Sequence, residues 1–268
     1  MKKPLAMILV AATFVVVPFL TWYLTWFGRP LDDAKVAKYL RDSAHPRRQQ
    51  HALVQLAARM ERRDPDVRRL YPEVLSLASD QRPPIRVMAA WIMGQDNTSD
   101  EFRAALAGLL KDTNALVRRN AALSLVRFGD KRAHPEIVAM LGSIDLKAPS
   151  QGRVVGLVEE GSSVGPGHRV ARIEVYGAAP VELVASVPGK VHLRTGENTL
   201  VAAGETVMVL LPEEQHVWEA LRALYLIGNQ EDAALVERFT KSDANFSQRV
   251  RSQAEQTFRR LSKAPPGF

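Results

Sequence analysis

Apolar residues within 112–130 recur at the spacing of one helix face. With Val117 as the origin, Ala121, Leu125 and Phe128 follow at intervals of three or four residues. Because a helix turns once every 3.6 residues, these side chains share one face. The pattern predicts an amphipathic helix whose apolar face packs against neighbouring helices.

The ends of this helix carry their own signals. Asp112 and Asn114 precede the apolar run and are suited to cap its first turn. Gly129 follows it and tolerates the left-handed conformation that ends many helices. Arg118 and Arg119 lie near the start, where the helix dipole disfavours positive charge. We therefore expect them to pair with an acidic side chain of the adjacent unit.

The same pattern starts again elsewhere in the chain. Copies begin at Ile85, His216 and Val250, and a weaker copy begins near Arg48. The step from Ile85 to Val117 and the step from His216 to Val250 are nearly equal, at roughly 33 residues, a period found in helical repeats. Periods of this length are typical of solenoids, in which helix pairs stack on one another.

The clearest copy reads Val-Arg-x-x-Ala-Ala-x-x-Leu-x-x-Phe-Gly-Asp and resembles HEAT repeats of the short bacterial type. The resemblance covers residues 42–146 and 213–261. It implies stacked helix pairs with a long concave face that holds a partner.

The helical pattern stops between Ala148 and Pro212. Valine and glycine dominate there, in short alternating runs separated by turn residues, which predicts β-strands. Val117 and His216 are about three solenoid periods apart in the full chain, and removing 147–212 leaves them one period apart. The segment therefore reads as a β-domain inserted into a loop of the solenoid.

This insert is internally duplicated. Three pairs of residues recur at one constant separation: Gly152 and Gly189, Gly167 and Gly204, and Val170 and Val207. With the phrases at 152–155, 159–161, 167–174 and 187–191, the insert resembles the biotinyl/lipoyl-like barrel-sandwich hybrid.

Carrier members of that family hold a lysine on the hairpin between the two halves. Gly177 occupies the aligned position here, and no lysine occurs between Lys147 and Lys190. We therefore predict that neither biotin nor lipoate is attached. The insert looks like the non-carrier domains of periplasmic adaptor proteins, although it lacks their coiled-coil hairpin.

The N-terminal run 5–27 is apolar apart from three threonines. It is long enough to cross a hydrocarbon core of roughly 30 Å, which predicts a transmembrane helix. An aromatic belt at its far end would mark the membrane interface, formed by Trp22, Tyr23, Trp26 and Phe27. The alternative is a cleaved signal peptide, but no small-residue cleavage site follows. Lys2 and Lys3 favour a cytoplasmic N-terminus, Arg29 and Lys35 oppose it, and we place the bulk of the chain in the periplasm.

Charge indicates an anionic partner. The formal net charge is +7, the sequence pI is about 9.8, and there is no cysteine. Seven arginines crowd the first repeat and are candidates for contact with a protein partner or with lipid headgroups: Arg47, Arg48, Arg59, Arg62, Arg63, Arg68 and Arg69. An ordinary solvated helix face explains them equally well. The predicted anchor disfavours nucleic acid.

No pattern of catalytic or metal-binding residues is present. The six histidines lack metal-ligand spacing, and the chain has neither a phosphate loop nor a nucleophile elbow. We therefore predict no enzymatic activity, no cofactor and no metal.

These patterns predict a mainly α fold, in which an α-solenoid carries an inserted β barrel-sandwich domain and one transmembrane helix. The expected domains are an anchor at 1–28, HEAT-like repeats at 29–146, the insert at 147–212, further repeats at 213–262 and a tail at 263–268. The predicted function is a non-enzymatic scaffold, an accessory or assembly subunit of a bacterial inner-membrane complex. A periplasmic adaptor is the alternative, and an enzyme such as a chromophore lyase ranks last.

Overall fold

A computed structural model describes residues 12–20, 30–241 and 246–263 of the chain. The described residues form mainly helices together with two small antiparallel sheets. They belong to two units, Met1–Asp96 and Asn97–Phe268.

The predicted transmembrane helix is wrong. Helix α1 covers 12–20, and within the described ranges no helix is both long and apolar enough to cross a bilayer. The inner-membrane location and the orientation rested on that helix, and we withdraw them. The predicted interface residues lie outside the described residues: Trp22, Tyr23, Trp26 and Phe27. Residues 1–11, the rest of 21–29 and most of the predicted tail also lie outside them.

The first unit consists of short helices that begin at capping or proline residues. After α1 it contains α2 (Asp33–Leu40), α3 (Pro46–Glu61), a 3₁₀ turn (Pro65–Leu70), α4 (Tyr71–Leu77) and α5 (Pro83–Met93). Asp32 caps α2 by accepting a hydrogen bond from the Lys35 amide at 2.8 Å. Proline occupies the first turn of α3, α4 and α5, where its missing N–H costs nothing.

The core of this unit comes from the apolar faces of α3, α4 and α5. Leu53 and Leu56 of α3, Val74 of α4 and Ile85 and Ile92 of α5 are buried. Within α3 and α5 they are spaced so that they share one helix face, and burying that face sets which side of each helix turns inward.

The second unit starts with the helix predicted from the Val117 pattern. It contains α6 (Asp100–Leu109), α7 (Ala115–Arg127), a 3₁₀ turn (Lys131–Ala133), α8 (His134–Met140), α9 (Glu214–Ile227), a 3₁₀ turn (Gln230–Asp232), α10 (Ala233–Glu237) and α11 (Gln248–Leu261). The Asn114 side chain caps α7 by accepting from the amides of Leu116 and Val117 at 3.0 and 3.3 Å. Gly129 closes the following turn with φ +67°. The helices α8 and α9 pack together although the strands lie between them in sequence.

Eight strands separate α8 from α9: β1 (Ile144–Lys147), β2 (Gly152–Val155), β3 (Ser163–Val164), β4 (Arg169–Glu174), β5 (Val181–Val184), β6 (Gly189–Leu193), β7 (Leu200–Val201) and β8 (Thr206–Leu211). They form two four-stranded sheets, in the orders β1-β8-β6-β3 and β5-β4-β2-β7. Adding four to each strand number of the first sheet, and counting from β1 again after β8, gives the strand order of the second sheet. The two sheets are therefore equivalent when the first four strands are exchanged with the last four, and each sheet takes two strands from each half.

The first and last strands of this segment are partners. Strand β1 pairs antiparallel with β8, with Ile144 opposite Leu210. Neighbouring strands lie about 5 Å apart, so the chain enters and leaves the segment at one place. A shared core fills the segment, and Ala115 and Leu116 of α7 pack against it.

Candidate functional site

Four of the seven first-repeat arginines are paired with carboxylates of their own unit. Arg48 contacts Asp42 at 3.0 Å, Arg59 contacts Asp33 at 2.5 Å and Asp64 at 2.7 Å, Arg68 contacts Asp96 at 3.8 Å, and Arg69 contacts Asp66 at 2.9 Å. Burial is the largest single influence and lowers the pKa of Arg59, but the hydrogen bonds that Arg59 donates to Asp33 and Asp64 raise that pKa above its usual value. These pairs stabilise the repeat and leave less charge available for a partner.

The other three, Arg47, Arg62 and Arg63, are exposed. Within the described residues no carboxylate lies at ion-pair distance from any of them. Arg63 also has φ 56°, because it ends the turn that follows α3. A role for the seven arginines in contact with a partner stays a prediction.

The arginine of the Val-Arg pattern has a recurring structural task. Arg86 donates to the carbonyl of Asp80 at 2.7 Å, Arg118 to that of Asp112 at 2.8 Å, and Arg251 to that of Phe246 at 3.0 Å. Each bond joins the first turn of a helix to the loop just before it. This repeated contact locks the loop to the helix, so these arginines are structural.

Arg118 and Arg119 are adjacent in sequence but differ in their contacts. The Arg118 guanidinium also donates to Glu136 of α8, the next α-helix along the chain, at 3.2 Å. Arg119 is only 7% exposed and has no hydrogen bond within the described part of the chain. Burial lowers the pKa of Arg119, against the attraction of Glu136.

Asp130 anchors the loop between α7 and α8. Its carboxylate is buried and accepts from Arg132 at 2.5 Å and from Arg103 of α6 at 2.8 Å. The Arg132 amide donates to the same carboxylate at 3.1 Å. The hydrogen bonds from Arg132, and then those from Arg103, hold the pKa of Asp130 well below its usual range.

An arginine–aromatic cluster occupies the surface of α9 and α11. The Arg249 Cζ lies 3.7 Å from the centroid of the Trp218 ring, and the Arg222 Cζ lies 4.6 Å from it. Both distances fall within the range of cation–π attraction. Arg222 and Arg249 are exposed, and Trp218 is half-buried. We call Trp218, Arg222, Tyr225 and Arg249 the arginine–aromatic face.

Apolar surface continues from the cluster toward the end of α9. Tyr225 is 42% exposed and Leu226 is 60% exposed. Arg260 of α11 lies 5.8 Å from the Tyr225 ring centroid and donates to the carbonyls of Leu224 and Gly228 at 3.3 and 3.0 Å. It thereby caps the last turn of α9 and fixes α11 beside the face.

The nearby carboxylates are engaged with other groups. Glu219 accepts from the Gln215 side chain at 2.6 Å, and Glu214 accepts from the Ser247 amide. Within the described residues, Arg222 and Arg249 have no ion pair, and Arg249 makes one long hydrogen bond to Gln215 at 3.4 Å. Among the described residues, two guanidinium groups therefore lie beside one indole without a countercharge.

Sequence patterns did not predict this face. A signal is present in α9, where Trp218, Arg222 and Tyr225 fall four and three residues apart, on a face distinct from that of Val217, Leu221 and Leu224. Arg249, however, lies on α11, far from Trp218 in sequence. Only the packing of α11 against α9 brings it onto the ring.

Three of the six histidines make local hydrogen bonds. His134 bonds to Asp232 at 2.8 Å, His192 to Glu160 at 3.0 Å, and His168 accepts from the Gly165 amide at 3.1 Å. Across the residues that the structure describes, no three side chains of metal-ligating type come together.

Comparison with known proteins identifies the repeats. Residues 71–146 match the family of HEAT repeats. The phycocyanin lyase complex of CpcE and CpcF from Nostoc sp. PCC7120 is similar at a TM-score of 0.48 and 18% identity, over 90% of this chain and 69% of that chain. A single-chain, multi-domain long-chain acyl-CoA carboxylase is similar at a TM-score of 0.25 and 20% identity, over 47% of this chain and 15% of that chain. No curated protein matches the sequence.

These findings correct the predicted function. The helical repeats are HEAT repeats over 71–146. The prediction of a membrane-anchored scaffold is contradicted, because no helix of the described residues is long and apolar enough to cross a membrane. The periplasmic adaptor and the prediction of no enzymatic activity are withdrawn with it. At this TM-score the likeness assigns no reaction to this chain.

Proposed function

We propose that this chain is a HEAT-repeat protein that binds a partner protein through its arginine–aromatic face. The observation that carries the proposal is the surrounding of Trp218, whose ring centroid lies within 4.6 Å of two guanidinium carbons that form no ion pair within the part of the chain that the structure describes. Tryptophan, tyrosine and arginine are the residues that contribute most often to the energetic centres of protein interfaces. Their concentration on one exposed surface of α9 and α11 therefore favours a binding role.

Preorganisation of the arginine side chains favours binding at this face. Arg249 and Arg222 are held against the indole, so they lose little side-chain entropy when a partner binds. Leu226 and Tyr225 add apolar surface that a partner can cover, at about 25 cal/mol for each Å² removed from water. Both the positioned arginines and the exposed apolar surface are present in the folded chain before a partner binds.

We also propose that the β-rich segment 147–212 is an inserted biotinyl/lipoyl-like domain without the carrier lysine. The equivalence of the two four-stranded sheets under a shift of four strands supports this proposal. The hairpin between β4 and β5 carries Gly177 with φ +71° at its turn, and the adjacent Tyr176 is fully exposed. The helical regions 29–146 and 213–262 then form the repeats on either side.

A site-specific crosslinking experiment tests the binding proposal. A photoreactive amino acid replaces Arg222 in the full chain, and a matched variant carries it at Arg259 of α11, which is exposed and paired with Glu255 at 3.3 Å. After irradiation in an extract of the source organism, we expect one protein to crosslink from position 222 and not from position 259. Equal crosslinking from both positions, or none from 222, would contradict the proposal.

A further inference from the structure

The arginine–aromatic face presents two exposed guanidinium groups that form no ion pair among the described residues, and such groups favour an anionic ligand. We infer that the partner presents an acidic segment whose side-chain carboxylates bind Arg222 and Arg249. This inference rests on the proposed function, and it names the chemistry of the surface that the face recognises.

The geometry suits carboxylates. At 3.7 Å from the centroid, the Arg249 guanidinium lies in van der Waals contact with the Trp218 ring. A guanidinium that stacks on a ring keeps its N–H donors at its edge, where they match the two oxygens of a carboxylate. Arg222 lies beside the same ring, so a segment that follows the face meets two such donors close together.

The surrounding carboxylates do not satisfy these donors. Glu214 and Glu219 lie on the same helix as Arg222, but each accepts a hydrogen bond from another group. Glu255 on α11 pairs with Arg259 at 3.3 Å. On these two helices, the guanidinium groups whose donors bind neither a carboxylate nor a backbone carbonyl of the described residues are those of Arg222 and Arg249.

The composition of the face favours an acidic protein over nucleic acid. Neither α9 nor α11 contains lysine, and the other arginines of α11 are engaged: Arg251 with Phe246, Arg259 with Glu255 and Arg260 with the end of α9. A protein that follows a phosphate backbone neutralises roughly six to ten phosphates. Two guanidinium groups among three glutamates provide too few cations for that, while they suffice for a pair of carboxylates.

A labelled oligo-glutamate peptide is the probe, and its binding to the full chain is measured by fluorescence anisotropy. We expect Arg222→Ala and Arg249→Ala each to weaken binding about tenfold, since each removes charge-assisted hydrogen bonds. Arg259→Ala removes an exposed arginine outside the face and is expected to change the affinity less than about twofold. If an alanine variant fails to fold by circular dichroism, Arg222→Gln and Arg249→Gln replace it, because glutamine keeps a long polar side chain without the charge.

Three outcomes overturn the inference. They are an absence of peptide binding, an affinity that the two arginine changes leave unaltered, and tighter binding of a single-stranded oligonucleotide of equal charge. The inference also fails, while the proposed function stands, if the protein crosslinked at position 222 contacts it through a segment without carboxylates. An absence of any partner crosslinked at that position sinks the proposed function itself.

Discussion

At the scale of single residues, Arg118 and Arg119 show how burial and bonding decide what an arginine contributes. Arg118 donates to the carbonyls of Asp112 and Thr113 and to Glu136. Arg119 is buried without a hydrogen bond among the described residues, so only the attraction of Glu136 offsets its desolvation. A buried charge that is only partly compensated destabilises a fold, and an apolar side chain of similar length removes that penalty.

We therefore expect Arg119→Met to raise the free energy of unfolding by about 1 kcal/mol. Arg118→Met, the neighbouring change of the same kind, should lower it by about 2 kcal/mol because three hydrogen bonds are lost. Urea denaturation followed by circular dichroism measures both. If Arg119→Met destabilises the protein as much as Arg118→Met does, the Arg119 guanidinium makes a favourable contact in solution and this account of it is incorrect.

The lowered pKa of Asp130 predicts that the stability of the fold depends on pH. Its pKa is lower in the folded chain than in the unfolded chain, where it is about 3.9. The unfolded state therefore takes up the proton first as pH falls. The stabilisation is fully present above about pH 5, and it is lost progressively as the pH falls through the folded-state pKa.

Asp130→Asn should remove this stabilisation at every pH. We expect a loss of about 2 kcal/mol at pH 7 and a smaller difference from the unaltered chain in acid. Asp145→Asn is the control, since Asp145 is exposed on β1 and should change stability by less than about 0.5 kcal/mol. Unfolding curves from pH 7 down to acid test this, and a difference that does not shrink in acid would count against the role of Asp130.

At the scale of elements, the two ends of the strand segment join the helical part of the chain at neighbouring points, so the segment can be deleted without separating the helices. Its first and last strands are paired, and α8 packs against α9 on either side of it. A short Gly–Ser linker therefore spans the gap that remains after residues 144–211 are deleted, since one extended residue covers about 3.5 Å. The helices should keep their helical circular dichroism and unfold cooperatively.

The deletion also exposes Ala115 and Leu116 of α7, which pack against the strand core. We expect the melting temperature to fall by several degrees for this reason. Leu116→Ser in the full chain estimates that contribution alone. A shortened chain that lacks cooperative helical unfolding would refute the proposal that 147–212 is a separate insert.

Local patterns predicted the elements well where neighbours in sequence are also neighbours in space. Asn114 caps α7, and the internal duplication of the strand segment reappears as two equivalent sheets. The apolar run at 5–27 predicted a transmembrane helix, and the residues that the structure describes contain no helix long and apolar enough for one. The sequence did not predict the ion pairs of Arg59 with Asp33 and of Arg68 with Asp96, because each pair depends on how separate elements pack.

At the scale of the whole molecule, excess positive charge should act on the rate of association. The chain has 36 lysine and arginine residues against 29 aspartate and glutamate residues, which gives a formal net charge of +7. A field of one sign steers an acidic partner toward the surface, and salt screens it over about 10 Å at 0.1 M ionic strength. Short-range bonds to Arg222 and Arg249 instead slow dissociation.

Two sets of variants separate these effects. Lys111→Glu with Lys131→Glu changes exposed residues outside α9 and α11, and it lowers the net charge from +7 to +3, because each exchange removes two charges. With the oligo-glutamate peptide in stopped flow, we expect association at low salt to slow several-fold and dissociation to stay unchanged. Arg222→Ala should mainly speed dissociation, by about tenfold, and this effect should persist at high salt, where the long-range field is screened. If the lysine variant instead speeds dissociation, or if high salt abolishes the effect of Arg222→Ala, the peptide is held by the general charge of the molecule and not by the arginine–aromatic face.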